Sequence, residues 1–370
     1  MRIAFDVSPL SHERTGVNNY IRGSLAGLAE AARPRGHEIV AFAPTSPAGK
    51  RVIPEALAGI DVELKLLSLW GAHGWRTAWS MAGYPPAERF VGPFDALHFT
   101  DWMYPPQRRG VRATTIHDLV PLHHPEWTTK RTQAMHGRKY HNAALTCDVV
   151  FANSAYTADD FASTLDFPRE RVRVAHPGVA PEFTAEGDSA DLGGPYVLTV
   201  ATLEPRKNLG TLVDAFALLA DTGLSLVVVG GQGWGEQPQL DRPGVVRLGR
   251  VDDEELARQY RGARCVVYPS LYEGFGIPVL EAIACGAPVV TARGGATEEV
   301  AGGAALLADP LSVEDIAVQM KRLSDDDTVA ALIARGRARG SDFTATAFAD
   351  RLGTVHRGLL DRYGGQSTGN

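Results

Sequence analysis

Residues 265–286 read C-V-V-Y-P-S-L-Y-E-G-F-G-I-P-V-L-E-A-I-A-C-G, and this stretch decides the fold. Its first four residues, Cys265–Tyr268, are apolar and favour a short buried strand. A longer apolar run follows a glycine-containing loop and favours a helix. Pro278 suits the first turn of that helix, and Gly286 suits the residue just past its end. The stretch therefore predicts a strand, a loop and a helix, which form the repeating unit of a parallel α/β sheet.

The same alternation of short apolar strands and amphipathic helices extends along almost the whole chain. Strands that alternate with helices are typical of parallel sheets covered by helices. The predicted strands are Arg2–Val7, Glu38–Ala43, Ala96–Phe99, Thr114–Ile116, Val149–Ala152, Val172–Ala175, Tyr196–Val200, Leu226–Val229, Val245–Leu248, Cys265–Tyr268 and Pro288–Thr291. They fall into two groups along the chain. The predicted fold class is therefore α/β, with two doubly wound Rossmann-like domains.

A linker separates the two groups of strands. Residues 184–195 are small, polar and rich in glycine, which is the composition of linkers. We therefore place an N-terminal domain at residues 1–187 and a C-terminal domain at residues 188–345. Residues 346–363 are predicted to form a helix that returns toward the first domain, and residues 364–370 a disordered tail. Ligands of open α/β sheets bind beyond the carboxyl ends of the strands, so we expect the active site in a cleft between two facing domains.

Composition excludes several classes of function. Lys and Arg number 37 against 43 Asp and Glu, and the net charge of -6 argues against a general nucleic-acid-binding protein. The cysteines, Cys147, Cys265 and Cys285, lack CxxC spacing and predict neither a disulfide framework nor a zinc site. The first residues do not resemble a signal peptide, and no apolar run approaches the roughly 18 residues of a membrane span. We expect a cytoplasmic protein.

Two basic residues follow the first predicted strand of the second domain. Arg206 and Lys207 stand directly before a helical stripe, and Asn208 is its expected N-cap. The free N–H groups and the dipole of a helix N-terminus favour an anion, and Arg beside Lys adds a fork-shaped donor and a mobile charge. The pair suits a diphosphate. A solvated loop pair is the alternative interpretation.

Two carboxylates lie in the stretch quoted first. Glu273 precedes Gly274 and Gly276 in the loop, where glycines let the backbone approach a ligand closely. Glu281 lies about one turn into the helix. The two carboxylates could accept hydrogen bonds from two polyol groups, such as a hexose and a ribose. The helix dipole alone would also favour an acid at Glu281.

The first domain offers two candidate residues at strand ends. Gly16 is expected at the N-terminus of the helix after the first strand, and a loop glycine without function is the alternative. His117 and Asp118 follow the strand Thr114–Ile116, where His117 could exchange hydrogen bonds with a sugar. A structural histidine is the alternative interpretation.

Other polar residues of the first domain carry weaker signals. His123 and His124 have no carboxylate at metal-ligand spacing, and we interpret the pair as a loop. Residues 130–131 and 138–139 are basic and lie on a predicted helix. A solvated helix face is the favoured interpretation, and contact with an anionic acceptor or a membrane surface is the alternative.

Two segments carry a resemblance to a known family. E-P-R-K-N at 204–208 and E-G-F-G-I-P-V-L-E-A at 273–282 resemble the signatures of the retaining GT-B glycosyltransferases of family four, also called group 1. V-R-L-G-R-V at 246–251 and P-V-V at 288–290 also lie where that family has them. The likeness covers nearly the whole chain. It implies the GT-B fold, in which two Rossmann-like domains face each other across a cleft.

The resemblance also implies a role for each candidate residue. Arg206 and Lys207 would bind the diphosphate, and Glu273 would hold the hydroxyls of the donor sugar. His117 would hydrogen-bond to the transferred sugar, which completes the implied catalytic set of four. The implied donor site adds Gly16 beside the phosphates, Glu281 at the ribose, Gly249 and Arg250 near the base, and Gly274, Phe275 and Gly276 in the loop.

The reaction implied by the resemblance is transfer of a hexose from a nucleotide diphosphate sugar. The acceptor would be a hydroxyl of a glycan, a lipid-linked molecule or a small molecule, and the anomeric configuration would be retained. Arg206 and Lys207 would neutralise the leaving diphosphate, so we expect neither a metal nor a cofactor, and no Asp-x-Asp stands where a metal would be needed. T-I-H-D-L-V-P-L at 115–122 is similar to bacterial mannosyl- and rhamnosyl-type transferases of polysaccharide assembly. GDP-mannose is therefore the favoured donor, ahead of UDP- and dTDP-sugars.

Three other functions fit a doubly wound fold. A nicotinamide dehydrogenase needs Gly-x-Gly-x-x-Gly directly after a strand, but S-P-L-S follows the first strand and G-G-Q-G-W-G-E at 230–236 lacks the third glycine. A sugar-nucleotide epimerase is the closer alternative, and product analysis with donor alone would separate it from a transferase. A non-catalytic sugar-nucleotide sensor would not need His117 and Glu273 together.

Overall fold

A computed structural model describes residues 1–11, 16–68, 72–100, 103–219, 222–235, 238–344, 346–348, 350–351 and 354. They form two compact units. The first comprises Met1–His123, Thr129–Gly178 and the described residues beyond Thr344. The second comprises His124–Thr128 and Val179–Thr344.

A parallel sheet forms the centre of the first unit. Its strands, counted over the described residues, are β1 (Arg2–Asp6), β2 (Glu38–Thr45), β3 (Glu63–Ser68), β4 (Ala96–Phe99), β5 (Val111–Ile116), β6 (Val149–Ala152) and β7 (Val172–Val174). They lie in the order β3-β2-β1-β4-β5-β6-β7. The helices are α1 (Gly16–Ala32), α2 (Gly49–Ala56), α3 (Ala72–Ala82), α4 (Glu88–Val91), α5 (Val120–His123), α6 (Lys130–Thr146) and α7 (Ala155–Thr164).

The second unit has its own parallel sheet. Its strands within the described ranges are β8 (Tyr196–Val200), β9 (Ser225–Val229), β10 (Val245–Gly249), β11 (Cys265–Tyr268), β12 (Val289–Ala292) and β13 (Ala305–Ala308). They lie in the order β10-β9-β8-β11-β12-β13. The helices are α8 (Leu209–Ala217), α9 (Asp253–Gly262), α10 (Ile277–Ala284), α11 (Ala296–Ala301), α12 (Val313–Arg322) and α13 (Asp326–Gly340).

Both faces of the second sheet are covered by apolar side chains. Along β8, Tyr196 and Leu198 pack into one core, whereas Val197 between them packs into the other. This alternation follows from the two-residue period of a strand, and the central strands β8 and β11 are mostly apolar because both faces of the sheet are covered. The predicted α/β class with two doubly wound domains is confirmed.

Strand order in each sheet reverses at one point, between β1 and β4 in the first sheet and between β8 and β11 in the second. The connections on either side of such a point lead away in opposite directions, which leaves a crevice at the carboxyl ends of the two strands. Arg206 and Lys207 follow β8, and Glu273 follows β11. The predicted anion-binding and polyol-binding residues therefore lie at the switch point of the second sheet.

Two strands were missed by the sequence analysis, and both lie at sheet edges. β3, with the sequence E-L-K-L-L-S, borders the first sheet, and β13, with the sequence A-L-L-A, borders the second. An edge strand pairs on one side only and tolerates charged or small residues, so its apolar signal is weak. No helix of the described chain is long and apolar enough to cross a membrane.

Both changes of unit differ from the predicted domain limits. The second unit begins at Val179, because Val179 N donates to Phe343 O (2.8 Å) and Phe183 is buried in the second unit's core. The chain then returns to the first unit after Thr344. There Phe348 is 3% exposed and lies 5.3 Å from the ring of Tyr20. The described residues between 346 and 354 are helical, whereas the predicted tail at 364–370 lies outside the described residues.

Candidate active site

Two loops meet at the carboxyl edge of the second sheet. After β8 the chain forms a single 3-10 turn, Pro205–Lys207, and after β11 it forms the loop that leads to α10. Because β8 and β11 are neighbours, the two loops run side by side, and Leu271 N donates to Arg206 O at 2.8 Å. Lys207 and Glu273, which are 66 positions apart in the chain, are thereby brought into direct contact.

Glu273 is the centre of a charge cluster in these loops. One carboxylate oxygen lies 2.7 Å from Arg206 Nη1, and the other lies 2.6 Å from Lys207 Nζ. A second acid, Glu204, lies 2.9 Å from Arg206 Nη2 and is 3% exposed. The side chains of Lys207 and Glu273 are each 10% exposed. Two cations and two anions therefore balance each other in a largely buried site.

Electrostatics keeps the Glu273 carboxylate charged. Burial alone would raise the pKa of Glu273, but the charges of Arg206 and Lys207 outweigh burial and lower the pKa to about 2. Burial lowers the pKa of Lys207, and the Glu273 carboxylate opposes that shift. The carboxylate is thus ionised across the neutral range, and the cations hold it in place.

A tyrosine that the sequence analysis missed completes this cluster. Lys207 Nζ donates to Tyr268 Oη (2.6 Å), and that hydroxyl donates to Glu273 Oε1 (2.9 Å). Burial and the nearby Glu273 charge raise the pKa of Tyr268 well above its ordinary value, so the hydroxyl keeps its proton. Tyr268 is the last residue of β11, and its position at a carboxyl end was the available signal. Glu204 stood in the E-P-R-K-N segment but was given no role.

Asn208 does not cap α8 in the way predicted. It occupies the N-cap position with a left-handed backbone, φ 58° and ψ 33°, and its side chain makes no capping hydrogen bond. Instead Nδ2 donates to Pro269 O (3.0 Å) and Pro310 O (2.6 Å). The prediction was wrong about the cap because the amide ties three loops together, which fixes the turn that carries Arg206 and Lys207.

Glu281 has a separate environment on α10. Its carboxylate accepts a hydrogen bond from Tyr260 Oη at 2.9 Å. Burial raises the pKa of Glu281 to about 7, with Asp253 acting in the same direction and the Tyr260 hydrogen bond opposing it. The structure therefore does not join Glu281 to the Glu273 cluster. Sequence spacing gave no sign of Tyr260, which lies on α9.

In the loop before α10, the backbone rather than the side chains could contact a ligand. Gly276 is the N-cap of α10 with φ +102°, and a Cβ there would lie 2.8 Å from Thr297 Cγ2, so only glycine fits. Gly274 is buried beside it. Phe275 is 3% exposed, and its ring lies 6.0 Å from that of Phe343 in the core. A ligand at this loop could meet the backbone of Phe275 but not its ring.

Gly249 and Arg250, which are predicted to lie near the nucleotide base, are at the carboxyl end of β10. Gly249 is the last residue of that strand, and Arg250 follows it with an exposed side chain. Cγ and Cδ of Arg250 run along Gly231, which follows β9. Gly249 and Arg250 are therefore at the same carboxyl edge as the charge cluster, and two strands, β9 and β8, separate β10 from β11.

His117 lies at the carboxyl end of β5 in the first unit. Its ring meets the ring of Tyr20 edge-on, with centroids 5.0 Å apart, and among the described residues its buried Nε2 has no hydrogen-bond partner. Burial lowers the pKa of His117 to about 3, and the charges of Lys139 and His136 add to this. The imidazole is therefore neutral, and a buried ring nitrogen left without a partner is exceptional in a folded protein.

Gly16 is the first residue of α1, one turn before Tyr20 on the same face of the helix. A Cβ at this position would meet no described atom within 4 Å. Packing within the protein therefore does not require glycine here. Through Tyr20, the structure brings Gly16 and His117 into one neighbourhood of the first unit.

The basic helix of the first unit is only in part a solvated face. Lys130, Arg131 and Arg138 of α6 are exposed as predicted, but Lys139 is 3% exposed. Its Nζ donates to Thr115 O at 2.8 Å, so the helix turns this cation inward toward the end of β5. The prediction of a solvated face is wrong for Lys139.

A short segment around His124 belongs to the second unit. The rings of His124 and Trp127 stack with centroids 3.8 Å apart, and His124 also meets Tyr272 edge-on at 5.6 Å. Trp127 O accepts a hydrogen bond from Trp234 Nε1 at 2.6 Å. Of the predicted loop pair, His123 is instead the last residue of α5, whereas His124 lies in a loop. His124 packs beside Tyr272, the residue before Glu273, and no sequence signal predicts this contact.

Comparison with known proteins identifies the family. Residues 194–326 match the glycosyl transferases group 1, and residues 16–183 match glycosyltransferase family 4. O-antigen chain mannosyltransferase B of Escherichia coli is 30% identical over 292 residues, which cover 74% of each chain. The chain belongs to the family 4 glycosyltransferases.

A second relative and a solved structure are also similar to this family 4 glycosyltransferase. A D-inositol 3-phosphate glycosyltransferase of Streptomyces avermitilis is 29% identical over 350 residues, or 80% of this chain and 71% of that protein. The solved structure of sucrose-phosphate synthase from Thermosynechococcus elongatus superposes with a TM-score of 0.71 at 20% identity, covering 98% of this chain and 100% of that one. The fold is GT-B. The epimerase alternative receives no support from these relatives.

Proposed function

We propose that this glycosyltransferase transfers mannose from GDP-mannose, with retention of configuration, to a hydroxyl of a glycan or a lipid-linked acceptor. The similarity to a mannosyltransferase of O-antigen chains supports the sugar and the class of acceptor. The similarity to a D-inositol 3-phosphate glycosyltransferase keeps a small-molecule acceptor as the second candidate. UDP- and dTDP-sugars remain the second choice of donor.

One observation carries the proposal, namely that Glu273 is the counter-ion of both Arg206 and Lys207. A sugar nucleotide brings two negative charges on its diphosphate. We propose that the diphosphate replaces Glu273 as the partner of the two cations. The released carboxylate then accepts hydrogen bonds from hydroxyls of the donor sugar, so that one exchange both binds the donor and orients its sugar.

The same cations stabilise the leaving group. When the bond between the anomeric carbon and the diphosphate oxygen breaks, negative charge grows on the diphosphate and positive charge on the sugar. Arg206 and Lys207 can neutralise the negative charge on the diphosphate without reorganisation of water, because both side chains are largely buried. We propose that the reaction needs neither a divalent metal nor another cofactor.

Retention is proposed to follow a front-face route. The acceptor oxygen forms its bond to the anomeric carbon on the side from which the diphosphate departs, and the acceptor proton passes to the departing phosphate oxygen. His117, neutral because its pKa lies at about 3, contributes hydrogen bonds to the transferred sugar. Glu281 contributes hydrogen bonds to the ribose, and Gly16 leaves room beside the phosphates.

The donor is tested with a panel of nucleoside diphosphates. GDP, UDP, ADP and dTDP are each added at about 100 times the dissociation constant, where a true ligand stabilises the protein by about 2.7 kcal/mol. We expect GDP to give the shift in thermal unfolding and Lys207→Ala to lose it. A shift by none of the four would overturn the transferase proposal, and a shift by UDP alone would overturn the GDP-sugar proposal.

Chemistry is tested on the purified protein with the donor so identified. Transfer to an oligosaccharide acceptor is followed in excess chelator, and full loss of activity there would refute the metal-free route. The anomeric configuration of the product is read from its one-bond carbon–proton coupling, and inversion would refute retention. We further propose that the enzyme works in the cytoplasm, with a peripheral contact at the inner membrane face when the acceptor is lipid-linked.

A further inference from the structure

A cavity of about 380 Å³ lies in the first unit, away from the residues proposed for transfer. It is lined by residues before β5 and by the region between α6 and β6, which include Tyr104, Gln107, Arg108, Arg109, Arg112 and Asp148. These residues stand at the amino ends of β5 and β6, whereas His117 follows the carboxyl end of β5. Along β5, Arg112 and His117 are separated by about 17 Å at the rise of a strand.

Arg112 is an unusual cation because it is only 7% exposed. Its guanidinium stacks 4.1 Å from the ring centroid of Tyr104 and 5.0 Å from that of Phe99. Nη2 donates to Pro105 O (2.6 Å) and Nη1 to Gln107 Oε1 (3.1 Å). Stacking and these two bonds fix the plane of the guanidinium in one orientation.

No acid neutralises this guanidinium among the described residues. All of its hydrogen bonds go to neutral oxygens, and its buried Nε has no partner there. A buried charge is normally paired, because desolvation without a counter-ion is costly. The described part of the chain therefore supplies no anion to offset the burial of this guanidinium.

Two further arginines make the cavity positive. Arg108 and Arg109 are exposed at its rim. Asp148 is the one acid among the described residues that line it, and its Oδ2 accepts the backbone N–H of Arg112 at 2.8 Å. Three cations face one anion, in a chain whose net charge is -6. The positive charge is thus local and not a property of the whole surface.

We infer that this cavity binds a phosphate-bearing ligand. Guanidinium groups match phosphate oxygens through paired N–H donors, and three of them around one cavity suit a phosphomonoester or a diphosphate better than a single carboxylate. The volume lies at the lower end of the range for small-molecule sites, so it accommodates a phosphate with part of the molecule that carries it. The phosphate belongs either to a soluble molecule or to the headgroup of an anionic lipid.

The site is tested by local protection of arginines in the full chain. Phenylglyoxal modifies accessible arginines, and peptide mass spectrometry gives the rate at each one. Inorganic pyrophosphate is the soluble probe, at constant ionic strength set with chloride. Vesicles of phosphatidylcholine with phosphatidylglycerol are the lipid probe, against vesicles of phosphatidylcholine alone. We expect slower modification of Arg108 and Arg109 and no change at Arg33, which is paired with Asp61 elsewhere on the unit.

Variants separate this site from other basic surfaces. Arg108→Gln should weaken pyrophosphate binding at the cavity about tenfold, followed by the protection of the exposed Arg109, because a charge-assisted contact is lost. The matched control, Lys130→Gln, removes the same charge from α6 and should leave that protection intact.

Each pattern of protection decides the matter. Protection by pyrophosphate but not by vesicles assigns a soluble phosphate ligand, and protection by the anionic vesicles assigns a lipid headgroup. Absence of protection by both probes overturns the inference, as does protection lost equally in the α6 control. Because the readout is local to the cavity, a failure of the proposed transferase reaction leaves this test unaffected.

Discussion

Glu273→Gln tests the counter-ion exchange most directly. The pKa of Glu273 is about 2, against an ordinary value of 4.5, so its ionised form is stabilised in the folded protein by about 3 kcal/mol. This contribution is fully present above pH 4.5 and is lost as the pH falls toward 2. Removal of one partner from a buried ion pair costs about 3–5 kcal/mol in general. The variant should therefore lose about 3 kcal/mol of unfolding free energy at pH 7, measured by urea denaturation.

The ligand response of the same variant is the sharper test. If the diphosphate takes the place of Glu273, wild-type protein must break two ion pairs to bind it, whereas Glu273→Gln has already lost both and keeps only the pair of Arg206 with Glu204. We expect calorimetry to show the nucleoside diphosphate bound about tenfold more tightly by the variant, since each 1.4 kcal/mol is a factor of ten. Transfer should nevertheless be lost, because the amide is a poorer acceptor for the sugar hydroxyls.

A control and a contrary result are both available. Glu255→Gln makes the same chemical change at a surface pair with Arg258, whose distance is 3.0 Å, and should cost less than about 1 kcal/mol. It should leave nucleotide affinity unchanged. Weaker nucleotide binding by Glu273→Gln than by wild type would refute the exchange, because it would mean that the carboxylate assists the diphosphate rather than standing in for it.

Three other predictions follow from single side chains. The pKa of Glu281, raised by burial to about 7, means that the folded protein favours the protonated carboxyl, so this group's contribution is complete below pH 4.5 and falls as the pH rises to 7. Between pH 4.5 and 7.5, the free energy of unfolding of Glu281→Gln, measured by urea denaturation, should therefore rise relative to that of wild type by about 3 kcal/mol. A difference between the two proteins that does not change with pH would contradict this. Gly16→Ala should unfold at the wild-type temperature, because a Cβ there meets no described atom within 4 Å. The variant should nevertheless transfer sugar with a reduced kcat, and an unchanged kcat would show that Gly16 is not part of the site. Lys139→Met deletes a charge that adds to burial in lowering the pKa of His117, so NMR titration should give a higher pKa in the variant, and an unchanged value would show that the Lys139 charge does not contribute.

The sequence was most informative where chemistry depends on neighbours in the chain. Arg206 and Lys207 follow one apolar strand and Glu273 another, and parallel strands place their carboxyl ends along one edge, so the predicted site residues lie close together in the structure. The signal came from short motifs at strand ends, which need no knowledge of distant contacts.

Features that depend on distant contacts escaped prediction. The partner of Glu281 is Tyr260, 21 residues away on another helix, and no periodicity relates them. Lys139 belongs to a basic run typical of a solvated face, yet packing turns it inward to Thr115 O. The pairing of Glu273 with both cations was also unforeseen, since a motif assigns residues to ligands and not to one another.

The contacts of Phe348 affect the order in which the two units can fold during synthesis. The ring of Phe348 covers Tyr20 and presses on Gly23 of α1, so a helix near the start of the chain is finished by residues near its end. The second unit leaves the ribosome before these residues do. It can therefore fold while the apolar surface of α1 in the first unit is still uncovered. A chain truncated after Thr344 should therefore hold a protease-resistant second unit, whereas trypsin should still cut its first unit.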